Sequence, residues 1–98
     1  MVVHIVMLKL KDENKQVNIQ KIKNELDSLP QKISVLKSIE VGVDFMQSTR
    51  SFDLSLYAIF DTKEDLAIYD THPEHLKVVS FIKEVAIESK AVDYMLDK

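Results

Sequence analysis

Val2-Val3-His4-Ile5-Val6-Met7-Leu8-Lys9-Leu10 is the stretch on which the reading of this chain turns. It is dense in β-branched and long apolar residues and gives way to Lys11 and Asp12, the pattern of a strand. Successive side chains alternate across a strand, so Val2, His4, Val6, Leu8 and Leu10 point one way and Val3, Ile5 and Met7 the other. Both faces are apolar. A sheet built on this strand needs cover on two sides.

Downstream, Asn18 is placed to cap a helix in which Ile19, Ile22, Lys23, Leu26 and Leu29 recur at helical spacing, with Val17 set to staple against Ile22. Gln20, Lys21, Asn24, Glu25 and Asp27 form its wet face, and Pro30 ends it. From Val35 to Met46, Ile39, Val41, Val43 and Phe45 alternate with Ser38, Glu40, Gly42 and Asp44, which predicts a half-buried strand in which Gly42 marks a bulge or a close backbone approach. Gln47 to Ser51 reads as a hairpin loop. Phe52, Leu54, Leu56, Ala58 and Phe60 then form a second alternating set that pairs antiparallel with the first.

Thr62 with Asp65 three residues on has the form of a capping box, opening a short helix through Leu66, Ile68 and Tyr69. After a break, Pro73 suits the first turn of a longer helix with an apolar stripe of Leu76, Val78, Val79, Phe81, Ile82, Val85 and Ala86. Ala91, Val92, Tyr94, Met95 and Leu96 close the sequence as a last strand. The order β, α, β, β, α, β predicts an α+β, ferredoxin-like domain: one antiparallel sheet with both helices on a single face. The other face then carries Val3, Ile5, Met7, Tyr57 and Ile59. That is too much apolar surface to leave in water, so a homodimer in which two sheets face each other is expected.

The 98 residues suit one domain, 1–98, and a globular chain of this size buries roughly 60% of its unfolded surface. Hydrophobic residues make up 46% and charged residues 30%, with one Gly and two Pro, which excludes a linker or a disordered tail. No repeat and no low-complexity segment appears. The formal charge of −3 offers no footprint for nucleic acid or anionic lipid, and no nucleic-acid or membrane partner is expected. Without cysteine there is no disulfide and no thiolate chemistry. The first apolar run is too short for a membrane span and lacks a signal peptide's basic start, so a cytoplasmic protein is the default.

Histidine is the side chain that titrates near neutrality, and the chain has three. His4 sits inside an apolar strand, where a hydrogen-bonded core histidine is the plain reading. His72 and His75 flank Pro73 and Glu74 at a helix start, where free backbone N–H groups favour negative charge. A zinc pair is weakly indicated, because Pro73 disturbs the spacing and no cysteine assists; no metal and no cofactor are expected. His72 reads as a helix cap. One turn in, His75 can face the sheet surface that carries His4, Val6, Leu8, Leu56 and Ala58, with Tyr69 able to reach the same space. A neutral imidazole in such a pocket can act as a base, and a tyrosine hydroxyl can bond a carbonyl or enolate oxygen. A buried polar pair that joins two helices fits the same residues. Lys9 and Lys11 stand where they would draw an anionic ligand to the pocket, or are simply solvated.

The run His4 to Asp12, Glu40-Val41-Gly42-Val43-Asp44, Tyr69 with His72-Pro73-Glu74-His75, and Asp93-Tyr94 together resemble the stress-responsive A/B barrel, or Dabb, family over essentially the whole chain. The resemblance implies a ferredoxin-like subunit that dimerises around a shared β-barrel. One plant polyketide cyclase of that family carries out an intramolecular aldol condensation with a histidine and a tyrosine. By motif the resemblance implies His75 as base and Tyr69 as its partner, with His4 in the pocket wall; Val6, Leu8, Leu56, Ala58 and His72 are the further residues expected to bind the ligand. The first helix offers Ile22 and Leu26 instead of aromatic walls. Three functions therefore stand: a homodimer with a small hydrophobic pocket that transfers a proton on a carbonyl-containing organic molecule, a non-enzymatic stress-protective dimer, and a monooxygenase of the dimeric barrel type.

Overall fold

The structure, a computed structural model, describes residues 1–96. Strand β1 (Val2–Leu10) is followed by helix α1 (Lys15–Asp27), a 3-10 turn at Leu29–Gln31, β2 (Ser38–Val43), β3 (Leu54–Phe60), α2 (Lys63–Thr71), α3 (Pro73–Val85) and β4 (Ala86–Met95). The sheet order is β2-β3-β1-β4 with every neighbour antiparallel, the predicted α+β arrangement. β1 lies in the middle, which explains why both of its faces are apolar.

The core lies between the sheet and the helices. Val2, Leu8 and Leu10 from β1 and Leu54, Leu56, Ala58 and Phe60 from β3 meet Ile19, Ile22 and Leu26 of α1, with Tyr69 and Val78 from the other two helices. Leu29, Ile33 and Leu36, on the turn after α1, close one end. The opposite face carries Ile5 and Met7, then Tyr57 and Ile59, then Val92 and Tyr94. Met7, Tyr57, Val92 and Tyr94 are exposed on it. Val3, expected among the bare residues, is fully covered, with Ile59 and Tyr94 at its flanking ladder positions.

Several boundaries differ from the sequence reading. α1 starts at Lys15, not after Asn18, because Asn14 takes a left-handed conformation (φ 55°) that asparagine tolerates, and its carbonyl accepts the Asn18 N–H. Val17 is thereby turned out to solvent, 69% exposed, and forms no staple. β2 stops at Val43 and β3 begins at Leu54, so the loop is wider than Gln47–Ser51 and Phe45 is solvent-facing. The cause is Asp53. Its backbone binds Leu8 and Asp44 while its buried carboxylate accepts the Leu10 N–H at 2.7 Å, so the chain turns inward there. Gly42 sits in a regular ladder without a bulge, and a Cβ there would meet nothing nearer than Ser55 Oγ at 3.8 Å. The irregularity lies instead at Lys9/Leu10, where β1 shifts register against β4. β4 starts at Ala86, directly after α3, because the long central strand needs a hydrogen-bonding partner along its whole length.

Candidate functional site

A cavity of about 470 Å³ opens between α3 and the β1–β4 half of the sheet. His4, Val6 and Leu8 of β1, Leu56 of β3 and His75 of α3 line it, so five of the residues singled out in the sequence come together. Ala58 is packed beneath the surface, fully buried. Its β1 ladder partner is His4. His72 stands apart from the cavity: its Nδ1 accepts the Glu74 N–H at 3.1 Å, capping α3, and Pro73 supplies the first turn. Thr62 caps α2 in the same manner by accepting the Asp65 N–H.

Tyr69 lies behind His75, not on the cavity surface. It is fully buried, and its ring stacks on the His75 imidazole with centroids 4.1 Å apart and planes at 34°. Phe60 packs against its other side at 5.0 Å, and the His4 ring meets it edge-on at 6.3 Å. The Tyr69 hydroxyl has no hydrogen-bond partner among the described residues. A buried hydroxyl in that condition is costly and leaves a donor available. Burial, with the Asp70 charge adding to it, pushes the phenol well above its usual range, so the hydroxyl keeps its proton.

His75 donates its Nδ1–H to the Asp70 carbonyl oxygen at 3.1 Å, which fixes the tautomer and leaves Nε2 as the acceptor. Burial pushes the His75 imidazole below its ordinary value, against the opposing pull of the Asp70 carbonyl and carboxylate, and nearby His4 and His72 lower it further. The ring is therefore neutral at physiological pH, the state a base requires. His4 is fixed in the same tautomer by another oxygen: its Nδ1–H bonds the Asp93 carboxylate, from the residue opposite it on β4. Sequence reasoning assigned no role to Asp93 beyond family resemblance. The register of an antiparallel β1–β4 pair was the signal that would have found it. The site thus presents the His75 imidazole, its Nε2 free to accept, beside the Asp93-held His4 ring in a largely apolar cavity, with the buried Tyr69 ring against both.

Lys9 and Lys11 do not line the cavity; the lysine that does is Lys83, near the end of α3, with Glu88 and Ser89 of β4. Among the described residues no group of three His, Asp or Glu side chains is placed to hold a metal ion, and no helix is long and apolar enough to cross a membrane.

The sequence shares this frame with known proteins. It is 31% identical over 96 residues to a stress-response A/B barrel domain-containing protein of Arabidopsis thaliana, covering 97% of this chain and 36% of that relative. The chain thus spans about a third of that protein's length. A dimeric protein of unknown function with a ferredoxin-like fold from Bacteroides fragilis superposes with a TM-score of 0.88 at 37% identity, over 97% of this chain and 95% of that one. The hydroxynitrile lyase of Passiflora edulis has the same fold, with a TM-score of 0.87 at 18% identity over 99% of this chain and 94% of the lyase. The family profile described as the stress responsive A/B barrel domain matches residues 2–96, so the chain belongs to the Dabb family.

Proposed function

We propose that this chain forms a homodimer through its uncovered sheet face and binds a small carbonyl-containing organic molecule in the cavity of each subunit, where His75 transfers a proton. The observation that carries this reading is the neutral His75 imidazole on the wall of an apolar cavity, backed by a buried Tyr69 hydroxyl without a partner. His75 Nε2 takes a proton from the carbon next to the carbonyl, and the electron pair moves onto the carbonyl oxygen. A hydrogen bond from the newly protonated His75 Nε2–H stabilises the enolate so formed, with the buried Tyr69 ring holding the imidazole from behind. Attack of that carbon on a second carbonyl of the same molecule, with the proton returned from His75 to the new alkoxide, would complete an aldol-type closure. The dimeric Bacteroides fragilis relative supports the assembly, and the exposed Met7, Tyr57, Val92 and Tyr94 supply the apolar surface for it.

The test is exchange of the protons next to a carbonyl into deuterium oxide, followed by proton NMR on a panel of simple ketones. Wild-type protein should accelerate exchange of at least one ketone, and His75→Ala should lower that rate by about a hundredfold. Equal rates for the two proteins would remove His75 as the base. A second reading, a non-enzymatic stress-protective dimer, is favoured by the continuous packing of Phe60, Tyr69 and His75, which ties α2, α3 and β3 together without any ligand. It predicts a large loss of stability on His75→Ala and no exchange at all.

A further inference from the structure

Two elements run side by side along the cavity and give it a length. On the sheet, β1 places His4 at one end and Leu8 at the other, where Ser89 is its ladder partner and Glu88 follows opposite Lys9. On the roof, α3 carries His75 in its first turn and Lys83 in its last. The end of α3 lies over the end of β1, since the Val85 carbonyl accepts the Lys11 N–H. From His4 to Leu8 the strand rises about 13 Å, and from His75 to Lys83 the helix rises about 12 Å. Val6, Leu56, Val78 and Ile82 lie along the stretch between.

The two ends differ in charge. Beside the histidines lies Asp70, an exposed carboxylate. At the far end Glu88 is engaged by Lys90 at 3.4 Å, whereas Lys83 makes no ion pair among the described residues. Of the charged side chains that line that end, the one without an ion pair among the described residues is the positive Lys83, and it stands where the cavity meets water; Glu84, beside it on α3, does not line the cavity. A ligand with one anionic group would lie with that group at Lys83, away from Asp70, and its reactive carbon would reach the two imidazoles.

Building on the reading of this cavity as a ligand site, we infer that it takes an elongated amphiphilic acid, with the carboxylate held by Lys83 and a carbonyl delivered to His4 and His75 about 12 Å away, a span of roughly nine chain carbons. Lys83 is thereby a specificity-determining residue. It selects acids over neutral molecules of equal length and sets which end of the molecule meets the histidines.

The probes are decanoate and decanol, equal in chain length and different in charge, titrated into nitrogen-15-labelled protein while the amide signals of Ile87, Glu88 and Ser89 are followed. Lys83→Gln should weaken decanoate binding by about fivefold and leave decanol unchanged, and Lys83→Arg should restore decanoate binding. Added salt should narrow the difference. If decanoate binds Lys83→Gln as tightly as wild type while both probes still shift these amides, the acid specificity is wrong and the cavity remains a binding site. Lys83 then serves only to complement the helix dipole. If neither probe shifts them up to its solubility limit, the ligand site and the acid specificity both fall.

Discussion

His4 and Asp93 are directly opposed residues of neighbouring antiparallel strands, and the Asp93 carboxylate holds the His4 ring by its Nδ1–H on the helix-covered side of the sheet. The contact joins the central strand to the edge strand through side chains as well as backbone. It also decides which ring nitrogen of His4 carries the proton.

Asp93→Ala should therefore change the His4 tautomer more than the stability. The Asp93 side chain is 46% exposed, so solvent screening holds the cost below about 1 kcal/mol. Nitrogen-15 NMR of the imidazole checks this: the Nδ1–H form should dominate in the wild type and lose that dominance in the variant. A wild-type ring found mainly in the other tautomer would contradict the geometry.

The depressed His75 value makes a pH prediction with a definite sign. The folded state disfavours the protonated ring, because burial is the largest influence on it. The contribution of His75 to stability is thus complete above its unfolded value of about 6.5 and is lost as pH falls through that value toward the lower folded one. Urea unfolding from about pH 8 to about pH 5 should show wild-type stability declining more steeply than that of His75→Phe. Identical slopes would mean that the ring is not desolvated.

Tyr69 separates hydroxyl from ring. Tyr69→Phe removes a buried polar atom without a partner, so stability should hold or rise by up to about 1 kcal/mol. Tyr69→Ala empties the space between Phe60 and His75 and should cost about 3–5 kcal/mol. Thermal unfolding of the pair measures both. A Phe variant that is no less stable, yet loses proton exchange, would mark the hydroxyl as kept for function.

The uncovered sheet face is tested by charge. Val92→Lys puts an ammonium amid Ile5, Tyr57 and Tyr94, and sedimentation equilibrium should show dimer dissociation at protein concentrations at least about tenfold higher than for wild type. The same change at Val17, 69% exposed on α1 on the other side of the sheet, should leave assembly unchanged as Val17→Lys.

Asp53 is a structural carboxylate. Asp53→Ala strands the Leu10 N–H inside the protein and removes a partner of Lys15, 3.6 Å away, so a loss of about 1–3 kcal/mol is expected in urea unfolding.

Period-two and period-three-to-four patterns in β1, β3 and α3 are strong enough to reveal the element order and the two-faced sheet from the residues alone. What escaped were features set by long-range backbone demands. The Asn14 start of α1 depends on one left-handed residue that hydrophobic spacing does not report. The early start of β4 is imposed by the unpaired edge of β1, since Ile87, Glu88, Ser89 and Lys90 have no strand-like alternation of their own. Within the site, His4, Val6, Leu8, Leu56 and His75 were legible because they share faces of regular elements. Asp93 and Lys83 were not, because their positions follow from register and from the direction of α3 over the sheet.

Helix α3 passes into β4 at Val85–Ala86 without an intervening loop. Roof and edge wall are consequently two arms pivoting on one joint, like a bell crank. A displacement of the roof would therefore pass as twist into the outermost strand, whose reverse side carries Val92 and Tyr94.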